Sequence, residues 1–422
     1  MKLFIFLSAY FRSYTRKNWS RKKIIRHQDK RITKMVKCVS RRSHFYRELW
    51  KGKSKFSDFP IISKSEMMSH FSSINSLGLS KERAFKIAIE GESTRNFDSQ
   101  YKDVSIGLSS GTSGNRGLFL ASKKEQALWA GSILEKILTT SLLRKNSIAL
   151  FLRANNKLYE TLRSKRLQFF YFDLQRPFEE LFSELEEKKP KIIVAPPSLL
   201  RMLVEAKLQY KPEKIISCAE TLDRIDEEII SRYFKMQVDQ IYQCTEGFLA
   251  TTCHHGTLHV NEDLVRIEKE YIDESSGRFL PIITDLYRET QPIIRYRLND
   301  VLVEKKTACQ CGSHYMALEK VEGRCDDVLY FKKLDGSTEP IFPDFIRREI
   351  IFNNESISDY QVVQTSIDEL DVFVEPSIDI TTNLEQFFFK KGFQIPKINT
   401  VLQPIHRDQK DKKRRIQRGS NV

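Results

Sequence analysis

Lys191-Ile-Ile-Val-Ala195 is a short apolar run rich in β-branched residues, and Lys214-Ile-Ile-Ser-Cys218 is a second. Between them Ser198–Lys207 carries apolar residues at helical spacing. Ile225–Phe234 repeats that pattern before a third strand-like run at Gln237–Tyr242. Strands alternating with helices at this spacing predict a largely parallel, doubly wound sheet. The alternation extends upstream, with a helix over Phe178–Glu187 and an apolar strand over Ser147–Leu152. Farther upstream, Val104–Leu108 and Leu118–Ala121 read as strands flanking the small-residue loop Ser109–Gly117. Ser122-Lys-Lys-Glu125 has capping-box spacing for a helix running to about Leu143. Ligands of such sheets bind at the carboxyl ends of strands, so the loops after Leu108, Cys218 and Tyr242 are the places to look.

The fold class expected is therefore α/β. Residues 1–100 form a mainly helical, basic part of a large domain, and residues 101–323 form its α/β core. A small α+β cap is expected over residues 324–422, with a hairpin at Asp335-Gly336, a helix from Pro343 to about Ile351, and two or three short strands after it.

Of the 422 residues, 40% are hydrophobic and 30% charged, an ordinary balance for a soluble globular protein. No apolar run approaches the ~18 residues that would span a bilayer. Leu3–Phe11 is apolar but short and lacks a small-residue cleavage site after it, so it reads as a buried or surface-lying helix. The net charge of +15 is uneven. Residues 1–50 hold fifteen Lys or Arg against Asp29 and Glu48, so +13 of the excess lies there. A solvated helix face accounts for such a stretch. No zinc finger or RNP motif accompanies it, so no nucleic-acid partner is expected, while weak contact with a membrane surface stays open. Seven cysteines, an odd number without a secretion signal, point to a reducing, cytoplasmic setting.

The strongest local motif is Ser109-Ser-Gly-Thr-Ser-Gly-Asn-Arg-Gly117. Its glycines let several backbone N–H groups converge. The hydroxyls of Ser110, Thr112 and Ser113 add donors, and Arg116 adds a fixed charge, so the segment suits a phosphate chain. No Lys-Ser/Thr pair follows the last glycine, so it is not a Walker loop. A flexible surface loop is the other reading of this segment taken alone.

Three further segments occur downstream: Tyr242-Gln-Cys-Thr-Glu246, Ile294-Arg-Tyr-Arg-Leu-Asn-Asp300 and Glu322-Gly-Arg-Cys-Asp-Asp327. With Ser109–Gly114 they resemble, in order, the phosphate loop and the Tyr-x-x-Thr-Glu, Arg-Tyr-x-x-x-Asp and hinge motifs of the adenylate-forming (ANL) superfamily. The nearest branch is the phenylacetate-CoA ligase-like group, including relatives of deazaflavin-adenylating synthetases. The resemblance implies an ANL-like fold and a nucleotide site made from Ser109, Ser110, Gly111, Thr112, Ser113, Gly114, Ala219, Glu220, Tyr242, Thr245, Asp300 and Arg324. Glu246 is the implied ligand for the magnesium that accompanies ATP. Tyr242 would lie against adenine, Cys218-Ala-Glu220 along its other side, and Asp300 would accept from the ribose hydroxyls. A tail lysine of the family offsets charge building at the α-phosphate. Asp411-Lys-Lys-Arg-Arg-Ile416 is similar to that ending and places the role on Lys412, although the family's glycine is missing and Lys410 and Lys413 are close by. With Lys412, the catalytic candidates are Glu246 and Arg116.

Cys309-Gln-Cys311 is a tight thiolate pair, and Cys253 lies six residues before His259. Together they would complete a closed tetrahedral zinc site of structural type, with His254, His255 and His314 as alternatives. Related ligases carry a similar cluster, which supports zinc here.

The implied function is an ATP-dependent ligase that converts a carboxylic acid, of aryl or medium size, to an acyl-AMP. A turn of the small domain about Asp326-Asp327 would then admit a thiol, either coenzyme A or a carrier-protein arm. Three rivals remain: AMP transfer to a phenolic hydroxyl of a deazaflavin-like coenzyme, hand-over to an amine, and a non-catalytic nucleotide-binding scaffold.

Overall fold

In the computed structural model of the chain, the residues described are 2–95, 100–109, 116–152, 165–324, 328–352, 356–357, 359–401 and 415–419. The apolar runs that opened the argument are strands buried on both faces. In Ile192–Ala195, Ile192 and Val194 enter one apolar core while Ile193 and Ala195 enter another. A period of two with both faces apolar is what a central parallel strand requires.

The strands in chain order begin with a small antiparallel sheet of Gln100–Tyr101 (β1), Val104–Leu108 (β2) and Leu118–Ser122 (β3). Asn146–Leu152 (β4), Leu167–Asp173 (β5), Ile192–Ala195 (β6), Lys214–Ser217 (β7) and Val238–Cys244 (β8) then form the parallel array. The same sheet continues as an antiparallel half: Gly247–Thr252 (β9), Leu258–Val260 (β10), Val265–Asp273 (β11), Arg278–Asp285 (β12), Tyr296–Arg297 (β13), Asp300–Glu304 (β14) and Ala317–Arg324 (β15). The parallel arrangement expected thus holds for β4–β8, which carry the Cys218 and Tyr242 segments, whereas the phosphate loop joins β2 to β3 of the separate antiparallel sheet. The turn at Thr245-Glu246 is where the sheet changes sense, because β8 and β9 pair antiparallel.

Two long N-terminal helices, Lys2–Arg16 (α1) and Arg21–Arg42 (α2), are followed by the short His44–Leu49 (α3), Lys64–Ser69 (α4), Phe71–Ile74 (α5) and the longer Lys81–Ser93 (α6). Lys123–Ile137 (α7) begins with the predicted capping box, Ser122 and Glu125 bonding reciprocally. It ends at Ile137, short of the Leu143 expected. The following polar residues bond elsewhere, with Thr140 donating to the Asn146 side chain at 3.0 Å and Asn146 donating to the Ser141 carbonyl at 3.2 Å. Such side-chain bonds compete with helix continuation. Phe178–Lys188 (α8), Pro197–Glu205 (α9) and Arg224–Phe234 (α10) cover one face of the parallel strands. The α1 and α7 helices contribute to the core on the other face.

After β15 a smaller unit has its own core, containing Leu329, Ile346, Tyr360, Val362, Leu370, Leu384 and Phe388. Leu329–Lys332 (β16) and Thr338–Ile341 (β17) form a hairpin closed at Asp335-Gly336. The Pro343–Phe352 helix (α11) leads to a four-stranded sheet of Asp359–Ser366 (β18), Glu369–Glu375 (β19), Lys397–Val401 (β20) and Ile416–Arg418 (β21). The Thr381–Lys390 helix (α12) was not anticipated. Its buried residues Leu384, Phe387 and Phe388 have the spacing of one helical face.

Candidate functional site

Segments separated by many residues converge at the carboxyl ends of β7 and β8. β7 ends at Ser217, and the chain turns through Ala219, whose φ is +64°. That left-handed conformation is uncommon for a residue with a Cβ and makes the turn sharp. The Glu220 side chain accepts from the backbone N–H of Ser198 at the start of α9, at 3.4 Å, which ties the loop to the helix beside it.

Tyr242 on β8 donates its phenolic hydrogen to Asp300 on β14 at 2.6 Å. Burial, reinforced by the Asp300 carboxylate, pushes the Tyr242 hydroxyl well above its ordinary range, so it stays a donor. Asp300 lies opposite Arg324 in the β14–β15 ladder. Three residues past Tyr242, Thr245 donates to Glu246 Oε2 at 2.8 Å, and Tyr296 donates to Glu246 Oε1 at 3.2 Å. Members of three of the four sequence motifs are therefore in direct contact or strand register.

Of the phosphate loop, Ser109, Arg116 and Gly117 are described, whereas Ser110, Gly111, Thr112, Ser113 and Gly114 lie outside the described residues. Its neck is closed by Ser109 N–H to the Gly117 carbonyl and Gly117 N–H to Ser109 Oγ, both at 2.7 Å. The exposed Arg116 donates to the Ser109 carbonyl at 3.2 Å and pairs with Glu92 on α6 at 2.5 Å. Lys412 and the Asp326-Asp327 hinge also lie outside the described residues.

The sequence reading missed Arg288. This side chain is 1% exposed, yet it donates to the Thr245 carbonyl, to the Leu120 carbonyl on β3 at 3.2 Å and to Gln291 Oε1 at 3.0 Å. It thereby joins the Thr245-Glu246 turn to the strand that leaves the phosphate loop. Glu125 adds a second tie, accepting from the backbone of Glu289 at 2.6 Å and Thr290 at 2.8 Å. The capping-box pattern announced Glu125, but nothing in the spacing announced its other oxygen's partners.

At the antiparallel side of the sheet, Cys253, His259, Cys309 and Cys311 bring their four ligand atoms within 4.8 Å of one another. Cys253 Sγ and Cys309 Sγ are 3.7 Å apart, and Cys311 Sγ is 3.3 Å from His259 Nε2. Sulfurs bound to one tetrahedral zinc at the usual ~2.3 Å stand roughly 3.8 Å apart. The His259 Nδ1 faces the Tyr315 carbonyl at 3.1 Å, the arrangement that orients Nε2 as a ligand. The residues fit a zinc ion. His254 and His255 lie against each other with ring centroids 4.3 Å apart and planes tilted by 46°, and neither they nor His314 belong to the cluster found among the described residues.

No family model matches the chain. Over 147 residues it is 26% identical to a phenylacetate-coenzyme A ligase of Thermus thermophilus, a match covering 32% of this chain and 30% of that protein. It is 26% identical over 178 residues to protein CapK of Staphylococcus aureus, covering 42% and 38%. The chain thus spans less than two-fifths of the length of either relative. The structural likeness is far more extensive. A 2-hydroxyisobutyryl-CoA ligase in the postadenylation state, in complex with 2-HIB-AMP, superposes with a TM-score of 0.70 at 15% identity, covering 96% of this chain and 92% of that one. The fold is that of the adenylate-forming ligases. The same ligase in its thioesterification state, with CoA, matches this adenylate-forming fold at a TM-score of 0.57 with 96% of this chain covered.

Proposed function

We propose that the chain is an ATP-dependent adenylate-forming ligase that activates a carboxylic acid and passes the acyl group to a thiol. The observation that carries this reading is the 2.6 Å hydrogen bond from Tyr242 to Asp300, with Arg324 opposite Asp300 in the ladder. It joins an aromatic face suited to adenine with a carboxylate suited to ribose hydroxyls, beside the Thr245-Glu246 turn.

In the first step a carboxylate oxygen of the substrate attacks the α-phosphorus of ATP. The bond from that phosphorus to the bridging oxygen breaks, and pyrophosphate leaves. Glu246 would hold magnesium, which neutralises phosphate charge, while Thr245 and the Ser109–Gly114 segment would hold phosphate oxygens. Lys412 is assigned the charge at the reacting phosphate, and Arg116 a supporting one once released from Glu92. In the second step a thiolate attacks the acyl carbon and AMP leaves. A branch resemblance to phenylacetate-CoA ligases favours an aryl acid and coenzyme A or a carrier-protein thiol. We assign residues 324–422 as the mobile unit, turning about Asp326-Asp327 between the two steps. The four-ligand cluster is assigned structural zinc, since all four positions are taken by protein.

The test is acid-dependent exchange of labelled pyrophosphate into ATP across aryl and aliphatic acids, with Glu246→Ala as control. Exchange that requires one acid and disappears in the variant is expected. AMP incorporated into a hydroxyl compound, with no acid-dependent exchange, would replace this reading.

A further inference from the structure

The N-terminal helix carries two apolar faces, and the fold uses one. On α1, Phe6, Ala9 and Ser13 are buried. They pack on α7 so closely that a Cβ placed on Gly131 would come within 2.3 Å of the Phe6 carbonyl oxygen. Glycine is thus what permits this crossing, and the crossing fixes the rotation of α1 about its axis. The remaining apolar residues are thereby presented outward. Leu3 is 62% exposed, Phe4 76%, Leu7 36%, Phe11 60% and Tyr14 53%. At 3.6 residues per turn these five fall within an arc of about 100°. An outward stripe of large apolar side chains is not an ordinary solvent face.

Its surroundings identify the covering partner. The first turns of α2 expose Lys22, Lys23 and Arg26, while the exposed Lys17 and Arg21 pair with Glu135 at 3.9 Å and Glu262 at 2.5 Å. Residues 1–50 as a whole carry fifteen cationic side chains against two carboxylates, and one of those, Asp29, is already paired with Arg266 at 3.0 Å. A second copy seated on the stripe would bring two such basic segments together, which is repulsive. A nucleic acid would satisfy the charge and leave the aromatic stripe without a role. An anionic lipid surface satisfies both, because apolar side chains enter the acyl boundary while cations meet headgroup phosphates.

We propose that α1 and the start of α2 form a peripheral docking surface for an anionic lipid bilayer. The chain lies on the surface and does not cross it: no helix among the described residues is long and apolar enough to span a membrane. The inference is independent of how the nucleotide site is read.

The experiment is co-sedimentation of the full chain with vesicles of phosphatidylcholine alone and with vesicles in which roughly a third of the lipid is phosphatidylserine. Two variants are compared, Phe4→Asp/Phe11→Asp on the stripe and Lys22→Glu/Lys23→Glu/Arg26→Glu beside it. All five positions are exposed, and thermal unfolding checks that each variant folds as the parent does. The parent is expected to pellet with the anionic vesicles only and to be released by salt. Each variant is expected to bind at least about tenfold more weakly. Equal binding by parent and variants, or no pelleting with anionic vesicles, overturns the proposal. So does a parent that sediments as a dimer which the stripe variant makes monomeric without changing vesicle binding. Duplex DNA binding that depends on the cations and ignores the stripe, in the absence of vesicle binding, replaces lipid with nucleic acid.

Discussion

Arg415 grips Asp226 with both ends of its guanidinium, Nη1 to Oδ2 at 2.7 Å and Nη2 to Oδ1 at 3.1 Å. Asp226 lies on α10 beneath the sheet, whereas Arg415 enters β21 of the smaller unit. The pair is the centre of a buried cluster. Arg415 also reaches Asp359 at 2.8 Å, Arg201 on α9 reaches Asp226 at 2.9 Å, and Arg347 on α11 reaches Asp223 at 3.0 Å. Tyr360 donates to Asp223 at 3.0 Å. Three arginines thus meet three aspartates. Burial opposes the charge on Arg415, but Asp226 and then Asp223 outweigh it and hold the guanidinium above its usual range.

A buried ion pair adds little net stability over apolar residues of the same shape, yet breaking it from one side costs ~3–5 kcal/mol. We propose that the cluster, which begins three residues after Lys412 in sequence, selects one placement of the smaller unit. Arg415→Ala should lower the urea midpoint strongly and reduce pyrophosphate exchange. Arg415→Met with Asp226→Leu should recover part of the stability, since Arg201 and Asp359 each lose a partner, but not the exchange, because the orientation is no longer specified. Recovery of both by the double variant would show that the cluster has no positioning role.

Arg288 supports a second prediction. Replacing it with Met removes the side-chain donor to the carbonyls of Thr245 and Leu120, while Gln291 Oε1 keeps the Leu120 N–H at 2.8 Å, a loss of roughly 2–4 kcal/mol. The Thr245-Glu246 turn should loosen. Exchange should fall by about tenfold or more, mainly through a raised KM for magnesium-ATP, and Arg288→Lys should restore part of it. A variant that is destabilised but has an unchanged KM would limit Arg288 to a structural role.

What could be read from the sequence follows from the range of each interaction. The strands Ile192–Ala195 and Lys214–Ser217 were legible because double-sided burial writes itself as a continuous apolar run. The Ser122–Glu125 cap was legible because its partners are three residues apart. Tyr242 and Asp300, separated by 58 residues, were grouped by resemblance to a family, not by spacing. Arg288 and the Arg415–Asp226 pair were not legible. A charged residue in sequence looks like a surface residue, and only the tertiary fold supplies the partners that let it be buried. The outward face of α1 was equally hidden, since the apolar pattern cannot say which side Gly131 will receive.

The thiolate cluster predicts a metal content. The protein purified without chelator should carry about one zinc per chain by mass spectrometry of the metal. Cys309→Ser and Cys311→Ser should each lose most of it and lower the thermal midpoint, because the ion ties the β9–β10 turn to the β14–β15 connection. His255→Ala should retain it. Full zinc in the Cys311→Ser protein would exclude this ligand set.

The docking of α1 and α2 on the body of the protein should depend on pH through His27. Its Nε2 faces the Asp263 carbonyl at 3.2 Å, Tyr287 OH at 3.3 Å and Arg16 Nη1 at 3.4 Å. Trp19 packs against the ring with centroids 5.2 Å apart, and Arg31 stands nearby over Tyr287. Burial, then the Arg16 charge, lowers the His27 pKa from 6.5 to about 4. The unfolded chain therefore takes up a proton, as pH falls from 6.5 towards 4, that the folded chain refuses. Stability must fall with pH across that window, be flat in this respect above it, and lose nothing further below it. His27→Gln, which keeps a polar side chain without the titration, removes this contribution. The difference in thermal midpoint between parent and variant should shift against the parent as pH is lowered from 7 to 4, while all other titrating groups cancel. A difference that stays constant across the window would mean that His27 is not held neutral, and that the charge of Arg16 is screened from it in solution.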